Sequence, residues 1–184
     1  MAFDDNTFVY GVKDCKISKL LTDAAPGPTY DTPIDLPGIQ EFGFKPSITE
    51  KKLKGDDKTI DIRTKTEEVE ISFKNAKIAL QALGVIFGGT YTSTGATPNQ
   101  VKKLAVKGAD TPDYFKIEAQ VVEVDEEAAD LHFRAYKAKL SNVGELGAIM
   151  DDYRVCSFTA KGIPCESDDS FFEILENETE TAIS

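Results

Sequence analysis

The sequence contains no tryptophan, one histidine, two methionines and three cysteines. Each shortage excludes something. The lone histidine, His132, sits between Leu131 and Phe133, on the opposite parity to the apolar residues of its segment. A general base needs a positioned partner and a substrate, and nothing in the surrounding sequence supplies either. His132 therefore reads as a partly exposed strand residue. Cys15, Cys156 and Cys165 are odd in number, which argues against a secreted disulfide framework. Cys156 and Cys165 lie nine apart with no histidine near them, so a zinc site is not expected either. Free thiols in a reducing cytoplasm are the expectation.

Basic residues are also scarce. The net charge is −11 and the pI is about 4.6. Proteins that grip DNA do so largely by neutralising phosphates, so this balance argues against direct nucleic-acid binding. Met1-Ala2-Phe3-Asp4-Asp5 has neither a basic region nor an apolar run, and no signal peptide is expected. The longest apolar clusters, such as Leu83–Phe87, fall far short of a membrane span. Nucleophile elbows, phosphate-binding loops, zinc-protease helices and dinucleotide fingerprints are missing. Asp56-Asp57 and Asp151-Asp152 are adjacent, and adjacent strand residues point to opposite faces, so they form no catalytic dyad. Asp125-Glu126-Glu127 lacks the spacing and the glycine of a calcium loop. No enzyme activity, cofactor or metal is expected.

What is present is a globular composition. Hydrophobic residues make up 41%, with eleven phenylalanines and six tyrosines, in 184 residues. That suits one domain with chain left over for excursions. Residues 1–9 read as a loose leader. Gly11–Leu20 alternates, with Val12, Cys15 and Ile17 as candidates for the inside of a first strand. Asp23–Pro33 holds three prolines and a glycine and reads as a loop.

Two long strand-like arms follow, Ile39–Lys54 and Lys58–Phe73, joined at Gly55-Asp56-Asp57. Phe42, Phe44, Pro46 and Ile48 share one face of the first. On the second, Ile60, Ile62, Thr64 and Thr66 take one parity and Val69, Ile71 and Phe73 the other. The switch at Glu67-Glu68 predicts a bulge. The distal part, about 48–68, is too charged for a buried hairpin. Lys51, Lys52, Lys54 and Lys58, with Arg63, form the one basic cluster of an acidic chain, around Asp56 and Asp57. An isolated two-stranded hairpin is marginal in water. These seven residues are therefore the candidate contact site to another copy, where charge matching would fix register.

Residues 76–87 read as a helix capped by Asn75 and stopped by Gly88-Gly89. Thr90–Val101 reads as an exposed loop. Strands are expected at Tyr114–Val124, Leu131–Leu140 and Tyr153–Ala160. The acidic segment 166–184 carries no basic residue. Phe171, Phe172, Ile174 and Leu175 supply a final short strand, and the last six or so residues are expected to be disordered. The fold class is mainly β with one flanking α-helix, in a single domain spanning 1–184.

The ordered features of most of the chain resemble the major tail proteins, or tail tube proteins, of long, flexible-tailed bacteriophages. The resemblance rests on Tyr10-Gly11-Val12-Lys13-Asp14 with Lys16-Ile17, then Asp35-Leu36-Pro37-Gly38, then Gly55-Asp56-Asp57 between long strands. It continues through Val69-Glu70-Ile71-Ser72-Phe73 and Leu80–Gly84. It ends with Phe133-Arg134-Ala135-Tyr136-Lys137, Tyr153-Arg154-Val155-Cys156 and Phe158-Thr159-Ala160-Lys161-Gly162. It implies a β-sandwich or barrel-like body with a long hairpin arm, six copies to a ring, and rings stacked into a virion tube assembled in the host cytoplasm. The genome passes through that tube without specific binding. The implied partners are other copies, the tape measure and other tail proteins, with no membrane. Rival readings are a tail terminator, a baseplate or contractile-injection tube component, and a β-sandwich module for protein or carbohydrate using Tyr91, Tyr114, Tyr136 and Tyr153.

Overall fold

The computed structural model describes residues 9–56, 58–123 and 129–183. The fold is mainly β and antiparallel, with one short helix among the described residues. In chain order the elements are β1 (Val9–Ala24), β2 (Gly27–Tyr30), β3 (Ile34–Asp35), β4 (Ile39–Gly55), β5 (Lys58–Asn75), α1 (Leu80–Phe87), β6 (Thr90–Thr94), β7 (Val101–Ala105), β8 (Phe115–Glu123), β9 (Asp130–Val143), β10 (Cys156–Gly162) and β11 (Phe172–Asn177). The main sheet runs β2-β1-β8-β9-β10-β5-β4, with β3 added on β1 and β11 on β9; β6 and β7 form a separate hairpin.

Alternation explains the inside. Phe115, Ile117, Ala119 and Val121 are buried on β8, and Cys156, Phe158 and Ala160 on β10. Val69, Ile71 and Phe73 do the same on β5, with Cys15 and Ile17 on β1; Val12 is only half-buried. Phe73 stacks on Phe158 across the β5–β10 pair at 5.2 Å. Phe44 on β4 lies 5.9 Å from Phe133 on β9 and 5.2 Å from Phe172 on β11. In the order of the sheet, β4 is three strands from β9. In a flat sheet that is roughly 14 Å. The sheet therefore curls over, and the aromatic contact closes one side of the core.

Helix α1 covers the adjoining part, burying Ala82, Leu83, Val85 and Ile86. It stops at Gly88, whose φ of 68° is left-handed. A Cβ there would meet the Thr111 carbonyl oxygen at 1.9 Å, so only glycine fits.

Several expectations need correction. The helix begins at Leu80, not Ala76, and Asn75 does not cap it; the N-cap position is Ala79, with no side-chain cap. Asn75 instead ends β5, placed opposite both Ile39 and Cys156, and the Ala76 N–H donates to the Gly38 carbonyl at 2.8 Å. The ladder uses the backbone that a helix would need. Residues 23–33 are not all loop: β1 runs on to Ala24 and β2 returns beside it. Pro28 is tolerated because β2 is the sheet edge, where a missing donor costs no ladder bond. Residues 90–101 likewise contain strand β6, paired with β7 through Thr90↔Ala105 and Thr94↔Val101. The strand expected from Tyr153 starts at Cys156. Val9 belongs to β1 rather than to a leader. The acidic turn at 125–127 lies outside the described residues.

Candidate functional site

The arm is the outer part of the β4–β5 hairpin. Strand β10 accompanies β5 only from Val69 to Asn75. Beyond Val69, β5 has β4 as its sole neighbour in the ladder. The pairing passes from Ser47↔Glu68 to Ile48↔Thr66, leaving Glu67 as the extra residue. This is the bulge that the parity switch predicted, and it marks where body becomes arm. A second shift, between Leu53↔Asp61 and Lys54↔Thr59, leaves Ile60 extra near the tip. At the tip Asp56 has φ 48°, a left-handed conformation that aspartate tolerates better than most residues.

Alternation gives the arm two faces. One carries Ile48, Glu50, Lys52, Ile62, Thr64 and Thr66; the other carries Thr49, Lys51, Leu53, Asp61, Arg63 and Lys65. Ile48, Leu53, Ile60 and Ile62 are 65%, 60%, 68% and 53% exposed. Four large aliphatic side chains thus stand in water on a ribbon with no layer behind it. Such residues are strand formers that normally pack against a second surface.

Of the seven predicted contact residues, Lys51, Lys52, Lys54, Asp56, Lys58 and Arg63 are all exposed on the arm, while Asp57 lies outside the described residues. Lys51 and Arg63 are direct cross-strand partners, and like charges placed opposite each other are unfavourable. Lys52 pairs with Glu50 at 2.9 Å, and Arg63 with Asp61 at 3.4 Å. Exposed pairs of this kind contribute little. Among the described residues Lys51, Lys54 and Lys58 have no ion-pair partner. Residues 48–66 carry a net charge of +2, and the rest of the chain −13.

A second polar constellation was missed by sequence reasoning. His132 is buried, contrary to expectation, and held at both ring nitrogens: Nδ1 is 3.1 Å from Glu118 Oε1 and Nε2 is 3.0 Å from Asp130 Oδ2. Arg134 donates twice to Glu118, at 2.7 and 2.9 Å. Gln120, Asn177 Nδ2 and the Thr181 N–H all donate to Asp130. Burial opposes ionisation of both carboxylates. Arg134, Lys116 and His132 outweigh it at Glu118, as Asn177, Thr181, Gln120 and His132 do at Asp130, so both lie below the ordinary carboxylate range.

The cover over this cluster is the end of the chain. The last six or so residues were expected to be disordered; those described, up to Ile183, dock through Thr181 and Ile183. Gln120 donates to the Thr181 carbonyl at 3.2 Å, Lys16 to the Ile183 carbonyl at 2.7 Å, and Ile183 is only 3% exposed. Glu118↔Arg134 and Gln120↔His132 are direct β8–β9 partners. The alternation visible in the sequence puts them on one face. What the sequence does not announce is the polar segment that buries that face. Every carboxylate oxygen of the cluster is taken up in these contacts, so its chemistry is that of a tie between β8, β9 and the chain end.

A smaller tie joins Lys137 to Asp23 at 2.7 Å and to Glu166 at 3.1 Å. The Glu166 N–H, the Lys137 ammonium and the Ser167 N–H hold Asp23 well below the carboxylate range. The three cysteines are free and buried. Tyr91, Tyr114, Tyr136 and Tyr153 sit on different elements; Lys137 and Lys139 lie over the Tyr114 ring at 5.2 and 4.9 Å. Among the described residues no group of histidine, cysteine and acidic side chains is arranged to hold a metal, and no helix is long and apolar enough to cross a membrane. No protein-family model matches this chain, and neither does any curated protein.

Proposed function

We propose that this chain is a virion structural protein that self-assembles into rings, hexameric in the family it resembles, which stack into the tail tube of a long-tailed bacteriophage. The observation that carries this reading is the arm. A ribbon of two strands projects beyond the curled sheet with Ile48, Leu53, Ile60 and Ile62 in water and with unpaired lysines near its tip. A hairpin without a packing layer is marginal alone. A surface of another copy would supply the missing layer. A contact from one part of a molecule to a different part of the next propagates as an open filament when it does not close.

The charge distribution supports the same reading. The body carries the acid, at −13, while the arm is positive. Copies attract one another through arm and body, and a lumen lined even partly by the acids repels DNA and lets it slide. In this role the chain is not an enzyme and needs no cofactor. Its partners are its own copies, the tape measure and other tail proteins, with DNA a passenger.

The test is electron microscopy and sedimentation of the purified chain across a range of concentrations, beside a variant in which residues 50–65 are replaced by an Asn-Gly turn. The expected result is rings or tubes for the full chain and a folded, non-polymerising body for the variant. A variant that unfolds would mean that the ribbon is part of the core. A full chain that never associates would end the proposal.

A further inference from the structure

A second exposed surface lies in residues 144–155, which join β9 to β10. Leu146 and Ile149 are half in water there, and Met150 and Tyr153 are 87% and 93% exposed. The loop is shaped rather than ragged. Its base is held by the Gly144 N–H donating to the Ser157 carbonyl at 2.8 Å. Ile149 bridges to Asp152, and the Tyr153 N–H donates to Asp152 Oδ1 at 2.7 Å. Arg154 pairs with Glu145. That leaves Asp151, at φ 62°, and Asp152 without an ion-pair partner among the described residues. The turn therefore presents two apolar side chains beside two carboxylates whose charge no described residue neutralises.

The topology places this surface opposite the arm. Strand β5 runs from the arm tip at Lys58 to Asn75 at the far end of the body. Asn75 pairs with Cys156, the residue that follows the loop. Arm and loop thus leave the body at opposite ends of the same strand. Between them lie the seven β5 residues paired with β10, roughly 20 Å of strand. A second copy displaced along this axis brings the arm of one molecule towards the loop of the next. The chemistry is complementary: Ile60 and Ile62 with Lys54 and Lys58 near the tip on the arm, and Met150 and Tyr153 with Asp151 and Asp152 on the loop, none of these four charges having an ion-pair partner among the described residues.

We infer that loop 144–155 is the receptor for the arm of a second copy of this chain, with Met150 and Tyr153 covering the arm's isoleucines and Asp151 and Asp152 facing its lysines. The inference rests on the reading of the arm given above and adds the surface that receives it. Because each copy carries both halves at opposite ends, the contact is heterologous, and it repeats from copy to copy as an open filament when its rotation does not close. The two negative charges beside the apolar pair also select against an anionic partner at this site.

The experiment is a charge exchange on the full chain, read as the concentration at which sedimentation first detects association. The loop variant is Asp151→Asn with Asp152→Lys, which keeps at 151 a residue that tolerates the left-handed backbone. The arm variant is Lys54→Asp with Lys58→Asp. Each is expected to raise the threshold about tenfold or more, and the two together to return it to within about threefold of the original, as expected for directly coupled charges. A Met150→Ser, Tyr153→Ser variant leaves the charges alone and is expected to raise the threshold too. Tubes formed normally by both loop variants, or a combined variant no better than its parts, would overturn this contact and leave the tube reading standing. An unaltered chain that remains monomeric would overturn both.

Discussion

The isoleucines of the arm allow the most quantitative prediction. Ile60 and Ile62 are 68% and 53% exposed, on the part of the hairpin where β5 pairs with β4 and no longer with β10. If the arm is buried in an assembly, the remaining surface of both is removed from water there. Threonine at both positions keeps β-branching and hence the ribbon, but removes most of the apolar gain. Full burial of an isoleucine contributes about 1.5–3 kcal/mol. Scaled to the surface still exposed and to the methyl that threonine retains, the loss is about 1 kcal/mol at each site. The sum of about 2 kcal/mol corresponds to roughly thirtyfold in an association constant. The free subunit should barely notice, because surface changes away from packed features usually fall within about 0.5 kcal/mol. The assay is paired: thermal unfolding of the monomer, and the onset of association by sedimentation, for the original chain and for Ile60→Thr, Ile62→Thr. An unchanged onset would refute the argument that these side chains are buried on assembly. A monomer that loses several degrees would place them in the body instead.

Other consequences concern the body. Phe73→Ala removes a fully buried ring stacked on Phe158 and is expected to cost about 3–5 kcal/mol in chemical denaturation; a loss under about 1 kcal/mol would contradict the packing described. Ile183→Ala is expected to cost about 2 kcal/mol, the low end for a buried aliphatic; no loss at all would mean that this segment is not docked in solution. Asp23, Glu118 and Asp130 have folded pKa values depressed below their ordinary ones. Their contribution is therefore complete above the unfolded value, near about 4, and is lost as pH falls through the lower folded values. Urea midpoints should drop below about pH 4, and less so in Asp23→Asn, which should already be weaker at pH 7. An Asp23→Asn profile parallel to that of the original chain would remove Asp23 from this account.

Much of the architecture was legible in the sequence, for reasons visible at particular residues. Phe115, Ile117, Ala119 and Val121 alternate cleanly because one face of β8 meets the core. The parity change at Glu67-Glu68 announced a real bulge, since a period of two cannot switch faces without an extra residue. The arm stood out because a long charged ribbon has no ordinary place inside a domain. What was missed depended on distant chain. Pro28 sits in a strand only because nothing pairs on its outer side. Asn75 looks like a helix cap until Ile39 and Cys156 are known to flank it. His132 looked exposed because its neighbours alternate correctly; the segment that buries it lies about fifty residues later and is itself polar. Local periodicity carries no information about such a cover.

The central claim is that this chain builds a tube from itself through its arm. Its most direct test is negative-stain electron microscopy of the purified chain at rising concentration, beside the chain in which residues 50–65 are replaced by a tight turn. The account predicts rings and stacked tubes for the first, and a folded protein that forms neither for the second. A strictly monomeric full chain under all conditions, or tubes that persist without the arm, would contradict it.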